Sequence, residues 1–104
     1  MYLQNNEAYP EQVVLLARFA KALGHPARIV IMKHLASLNE CSCCFNTLFK
    51  MLPIAKSTIS QHLKELKEAG LIIGRIEPPH IQYCVNKENL NLAKKLFSDL
   101  MNLE

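Results

Sequence analysis

Four cysteines carry the most reactive chemistry in this 104-residue chain: Cys41, Cys43, Cys44 and Cys84. Three of them fall within four positions, a clustering that chance rarely produces. Thiolates are soft ligands, suited to zinc, copper(I) and thiophilic metalloids rather than magnesium or calcium. If residues 41–44 are extended, Cys41 and Cys43 share a face and Cys44 points away. A helix starting near Cys44 would aim its free N–H groups at that thiol and favour the thiolate. Two other readings stand beside ligation. Cysteine packs readily as a small buried hydrophobe, a reading that weighs most for Cys84. Or two thiols, for example Cys43 and Cys84, join in a redox or persulfide response without metal. In a reducing cytosol all four are expected as thiols rather than structural disulfides.

A second constellation lies in residues 54–71, IAKSTISQHLKELKEAGL. Ile59, Leu63 and Leu66 recur at i, i+4 and i+7 and line one helical face. Ser57, Gln61, Lys64 and Glu68 lie opposite. Ala69-Gly70 ends the helix, because glycine readily takes the left-handed cap conformation. An apolar back anchors such a helix, and a polar front offers donors and acceptors to phosphates and base edges of DNA. Gln61 and Ser60 are the candidates for base contacts. Lys56, Ser57 and Lys64 are the candidates for phosphates, with Thr58 on the same stretch. His62 adjoins the apolar face and reads as a phosphate contact or a helix-packing residue rather than a metal ligand. The bland alternative for the whole front is a solvated helix face.

The elements that must position these groups follow from punctuation and period. Tyr9-Pro10 opens a helix to about Leu23, apolar nearly all round through Val13, Val14, Leu15, Leu16, Ala17, Phe19 and Ala20. Such a helix is buried on more than one side, which in so small a chain suggests a second subunit. Pro26 suits the first turn of the next helix, which runs to about Leu38 with Ile29, Ile31, Met32 and Leu35 inward and Asn39-Glu40 at its end. Residues 41–44 read as a short extended piece. Phe45 to Leu52 reads as a short helix with Phe45, Leu48, Phe49 and Leu52 packed. After the amphipathic helix come strands at 71–76 and 81–86, joined by Pro78-Pro79. Ile81, Tyr83 and Val85 share the core face of the returning strand. Arg75 and His80 flank this wing turn and are placed for backbone contacts, with Glu77 opposing them. A final helix from about Lys87 to Leu103 carries Leu90, Ala93, Leu96, Phe97, Leu100 and Leu103, a stripe wide enough for a dimer seam.

The expected fold is therefore mainly α (α+β): a single domain over residues 1–104, a winged helix-turn-helix with N- and C-terminal dimerisation helices and a two-stranded wing. Two symmetric recognition helices would meet successive major-groove half-sites. The formal charge is +3, a mild basic bias that a dimer doubles and that is compatible with a nucleic-acid partner. The first dozen residues lack a signal pattern, and no apolar run has the length of a membrane span, so a cytoplasmic protein without membrane contact is expected. No Gly-rich phosphate loop, Gly-x-Ser-x-Gly elbow or His-Glu-x-x-His run is present, so an enzyme is not expected. A winged-helix module that binds only protein is the remaining class. Salt-sensitive binding to DNA separates it from a repressor.

Three segments in order, FAKALGHPAR (residues 19–28), KSTISQHL (56–63) and LKEAGL (66–71), resemble the ArsR/SmtB family of winged-helix repressors over roughly residues 12–100. The first resembles the family's LxxxxR approach to its second helix, the second its Ser/Thr-x-Ser-x-His-Leu recognition helix. The resemblance implies a homodimer that binds operator DNA, represses transcription and lets go when a chemical signal, often a metal or metalloid, binds. Release of that kind couples two sites through two protein states. A frequent family sensing site reads Glu-Leu-Cys-x-Cys at the third helix. Cys44 takes the place of its first cysteine and Asn46 that of its second. A zinc site on the family's last helix uses Asp and His ligands. Here that helix has no histidine and only Asp99, so this site is not expected. The resemblance makes arsenic(III) and antimony(III) relevant, ions that take three thiolates in a pyramid. With the short strand paired to the returning strand, Cys84 on the Gln82 face completes a site with Cys43 and Cys44, and Cys41 serves as a substitute. The expected inducer is arsenic(III) or antimony(III), with zinc ranked lower, and no cofactor is required.

Overall fold

The computed structural model describes residues 8–38 and 41–102. Asn39-Glu40 as the end of the second helix, Leu103 and the first seven residues lie outside the described residues. The elements run α1 (Glu11–Ala22), α2 (Pro26–Ala36), β1 (Cys43–Cys44), α3 (Phe45–Met51), α4 (Lys56–Glu68), β2 (Ile72–Glu77), β3 (His80–Val85) and α5 (Lys87–Met101). This is the winged helix-turn-helix arrangement, with α3 and α4 as the helix pair and β2–β3 as the wing.

The apolar back of α4 is the centre of the core. Ile59, Leu63 and Leu66 are buried with Phe19 of α1, Ile31 and Leu35 of α2, Leu48 of α3 and Leu96 of α5. Sealing those side chains from water supplies on the order of 1.5–3 kcal/mol each. Local chemistry sets the element ends. His25 caps α2, its Nδ1 accepting the Ala27 N–H at 3.0 Å, and Pro26 takes the first turn. Helix α4 ends at Gly70, whose φ of 84° suits a residue without Cβ. There the Gly70 N–H donates to Lys67 O at 2.9 Å and the Leu71 N–H to Leu66 O at 3.0 Å, a Schellman closure. Asn89 Nδ2 donates to Gly70 O at 2.9 Å, which fixes the start of α5 against the root of the wing.

The sheet has the order β1-β3-β2, antiparallel throughout. β3 is central, as expected for a returning strand that pairs with the short one. Its register sets Cys43 against Tyr83 and Cys44 against Gln82.

Three packing expectations fail. Ile29 of α2 is exposed, because it precedes Ile31 by two residues, about 200° round the helix. Phe49 is exposed beside the buried Leu48, since a seven-residue helix has room for one inward face. Ile81 is exposed because it sits near the wing tip, while the buried end of that strand is Val85. Helix α1 packs on α5. Val13 on α1 and Leu100 and Met101 on α5 remain exposed. Among the described residues no helix is long and apolar enough to cross a membrane.

Candidate nucleic-acid interface and cysteine seam

Helix α4 shows its polar residues outward. Lys56, Ser57, Thr58, Ser60, Gln61 and Lys64 are all exposed, on a helix whose other side is core. Two of them already have neighbours. Lys56 Nζ lies 4.9 Å above the Phe49 ring, which gives that exposed aromatic a role in steering the lysine. Gln61 Nε2 donates to Glu65 Oε2 at 3.0 Å, so one turn of helix fixes the amide. The sequence reading left Glu65 out of the site. The i, i+4 spacing of Gln61 and Glu65 was the available signal.

Of the two readings of His62, the outward DNA contact is corrected in favour of helix packing. It is 5% exposed, on the inner side of α4. Arg28 Nε donates to its Nδ1 at 3.0 Å, and Arg28 Nη1 donates to Ala22 O at 3.2 Å. One guanidinium thus ties the end of α1, the start of α2 and the recognition helix together. The His25 ring stands 4.4 Å from that of His62, tilted by 49°. Burial, then the nearby His25 and Arg28 charges, hold the His62 pKa below the usual histidine value. With Nδ1 accepting, the proton sits on Nε2, which is buried without a hydrogen-bond partner. Arg28 is therefore a positioning residue for α4. In the sequence Arg28 shows only as the last residue of the FAKALGHPAR segment.

The wing separates its two basic candidates. His80 lines a cleft with Ser60 of α4, and so belongs with the polar front. Arg75 lies elsewhere, in a depression with Cys41, Cys84 and Ile73. It pairs with Gln82, and its neighbour Ile73 pairs with Cys84, so this face of the wing is the cysteine face.

The cysteines also depart from the expected grouping. Cys41 and Cys84 form a disulfide, with Cα atoms 4.5 Å apart. The sequence reading had all four as thiols and set Cys84 with Cys43 and Cys44. The register explains the change. Cys43 opposes Tyr83, so the residues ahead of β1 run beside Cys84 and beyond it. Cys43 turns inward and is buried in the core. Burial, then the neighbouring Cys44, push its thiol pKa up. Cys44 is partly exposed at the N-terminal end of α3. The Thr47 side chain at 3.5 Å and then the N–H groups of Thr47 and Asn46 pull its pKa down. Among the described residues no three His, Cys, Asp or Glu side chains group as a metal site. The Cys41–Cys84 bond closes a loop with a sequence separation of 43, which contains β1, α3, α4 and β2. The link therefore spans the root of the helix pair and the wing together.

Comparison with known proteins agrees with this architecture. Residues 25–73 match the family described as bacterial regulatory protein, arsR family. An uncharacterized HTH-type transcriptional regulator of Methanocaldococcus jannaschii is 33% identical over 84 residues, covering 81% of this chain and 92% of that one. The crystal structure of a "possible transcriptional regulator for arsenical resistance" superposes with a TM-score of 0.70 at 28% identity, over 80% of this chain and 82% of the other. The solution structure of a homodimeric winged helix-turn-helix domain from Mycobacterium bovis has the same fold, with a TM-score of 0.69 at 23% identity, over 97% and 88% of the two chains. The first two of these are named as a transcriptional regulator and a possible transcriptional regulator, and the third shares the fold. Taken with the outward polar front of α4 and the wing beside it, they establish that this chain belongs to the ArsR family of transcriptional regulators.

Proposed function

We infer that the protein binds operator DNA as a homodimer, through α4 and the His80 side of the wing, and lets go when the Cys41–Cys84 pair is oxidised. The observation that carries the DNA reading is the division of α4: its apolar side is core, and Lys56, Ser57, Ser60, Gln61 and Lys64 are free to face a groove. Phosphate contacts from the lysines and serines would set the register, and Gln61 and Ser60 would read base edges. The dimer reading is supported by the exposed Val13, Leu100 and Met101 on the packed α1–α5 pair and by the homodimer reported for the M. bovis protein.

The redox reading is supported by the disulfide that bounds the DNA-reading unit. A peroxide oxidises one thiol to a sulfenic acid and is reduced to water. The second thiol then displaces a further water as the S–S bond forms. Opening and closing that bond changes how freely β1 and α3 move against the wing, and so the placing of α4.

Metalloid sensing is a second reading with its own support. Reduction would free two thiols whose Cα atoms stand 4.5 Å apart in the bonded form, and Cys44, whose pKa is lowered, lies on the same sheet face as Cys84. Those three would hold arsenic(III) or antimony(III), with the buried Cys43 left as packing. A similar solved structure is that of a possible transcriptional regulator for arsenical resistance. Zinc has less support from these positions. The experiment is release from the DNA upstream of the protein's own gene. The pre-reduced protein is treated either with peroxide or with arsenite under reductant, alongside Cys41→Ser, Cys44→Ser and Cys84→Ser variants. Peroxide release lost in Cys41→Ser and Cys84→Ser and kept in Cys44→Ser supports the redox reading. Arsenite release lost in all three supports the metalloid reading. Unchanged release in every variant contradicts both.

A further inference from the structure

A concavity lies away from α4. It is a groove of about 440 Å³ between the end of α2, the end of β3 and the start of α5, within the size range of small-molecule sites. Its floor is apolar: Met32, Leu38, Val85 and Leu90. Its rim carries three lysines, Lys33, Lys87 and Lys94, each exposed. Among the described residues no carboxylate lines it and none of the three lysines has an ion-pair partner. The floor continues past Leu38, Val85 and Lys87 into the depression that holds Cys41, Cys84 and Arg75, which adds a fourth cation at its far end.

We propose that this groove binds a small amphipathic carboxylate, its apolar body on Met32, Leu38 and Leu90 and its head among Lys33, Lys87 and Lys94. Charge complementarity selects the occupant. An apolar floor alone accepts any hydrophobe, but like charges ringed together with no internal partner favour an anion at the rim. Lysine suits the task because its long stem covers apolar surface while its ammonium stays in water. The site does not depend on the DNA reading, since its walls contain no residue of α4.

The test is titration of the purified full chain, free of DNA, by calorimetry. Decanoate probes a chain-like body and 2-naphthoate a ring-like one; dodecyltrimethylammonium is the cationic control. Saturable binding of either carboxylate is expected, with affinity lowered about tenfold or more in a Lys33→Glu/Lys94→Glu double variant, as reversal of two rim charges demands. Lys95→Glu should bind like the parent, because Lys95 points away into its own pair with Asp99 at 3.2 Å. Both substitutions are at exposed positions, and circular dichroism checks that the fold survives. Backbone NMR shifts on carboxylate addition should centre on Lys33, Leu38, Leu90 and Lys94. Absence of saturable carboxylate binding, equal binding of the cationic amphiphile, or full affinity in the double variant would overturn the assignment. So would shifts confined to the exposed apolar residues Val13, Leu100 and Met101.

Discussion

The outer face of α4 and the β1–β3 seam differ in almost every physical respect, although one wing joins them. The α4 face is exposed and polar, and it is held from beneath by the buried Ile59, Leu63 and Leu66 and by the Arg28–His62 hydrogen bond. The seam is partly buried and sulfur-rich. One of its thiols is in the core, one is activated at α3, and two are bonded to each other. Neighbouring residues show the same division. Gln61 faces out and leans on Glu65, whereas His62 faces in and receives Arg28. The lesson is that the outer face of α4 carries no thiol, whereas the sulfur groups sit at the ends of the unit that carries that face.

That contrast can be broken at the seam first. Replacing Cys84 with Ser removes the link that closes the loop, and the loop length implies a loss of about 2–4 kcal/mol of unfolding free energy in the absence of reductant. With reductant present the variant and the parent should unfold alike. Urea melts with and without reductant measure both quantities. Equal midpoints without reductant would show that the link does not brace the reading unit.

Next in size is the support beneath α4. Arg28→Ala deprives His62 Nδ1 and Ala22 O of their donor. Leaving buried acceptors unpaired costs about 1–3 kcal/mol, again readable from a urea melt. Lys33→Ala on the same helix, exposed and away from this contact, serves as the control. The same cluster gives a pH effect. Because the folded protein holds the His62 pKa below its ordinary value of about 6.5, the unfolded chain takes up the proton first as pH falls. Stability contributed by neutral His62 is present above about pH 6.5 and declines below it, toward the lowered folded pKa. A His62→Gln variant should flatten that slope, and an unchanged slope would place the titration elsewhere.

The smallest effects sharpen the division of labour on the outer face. Lys64→Ala should weaken all duplexes alike and reduce the salt slope by about one. Gln61→Ala should relax sequence preference by about 1–3 kcal/mol with the salt slope unchanged. Anisotropy titrations against specific and scrambled duplexes measure both. Losses of the same kind from both variants would contradict separate roles.

Much of this was legible in the sequence because it depends on short-range spacing. The i, i+4, i+7 repeat of Ile59, Leu63 and Leu66, Pro26 at the start of a helix and Gly70 at the end of one each specify a local structure, and every helix falls within two or three residues of its expected bounds. His62 was left between packing and phosphate contact because it borders the apolar stripe, where the period alone does not say whether a polar residue turns in. Its burial depends on Arg28, 34 positions earlier in the chain. The cysteine grouping was misread for a similar reason. Which thiol meets Cys84 is set by a strand register across a separation of 43, and a shift of one residue exchanges the faces. The apolar groove with its lysine rim was invisible, since α2, β3 and α5 meet only in the folded chain.

The central claim is that two copies present the α4 face to a duplex and that the seam controls the grip. The most direct measurement is anisotropy of a labelled fragment from upstream of the protein's own gene, with pre-reduced and with Cys41–Cys84 oxidised protein, across a salt series. The account predicts two chains per duplex, affinity that falls steeply with salt, and binding weakened about tenfold or more by oxidation, on the scale of typical coupling energies. Salt-insensitive or absent binding, or identical affinity in the two redox states, would contradict it.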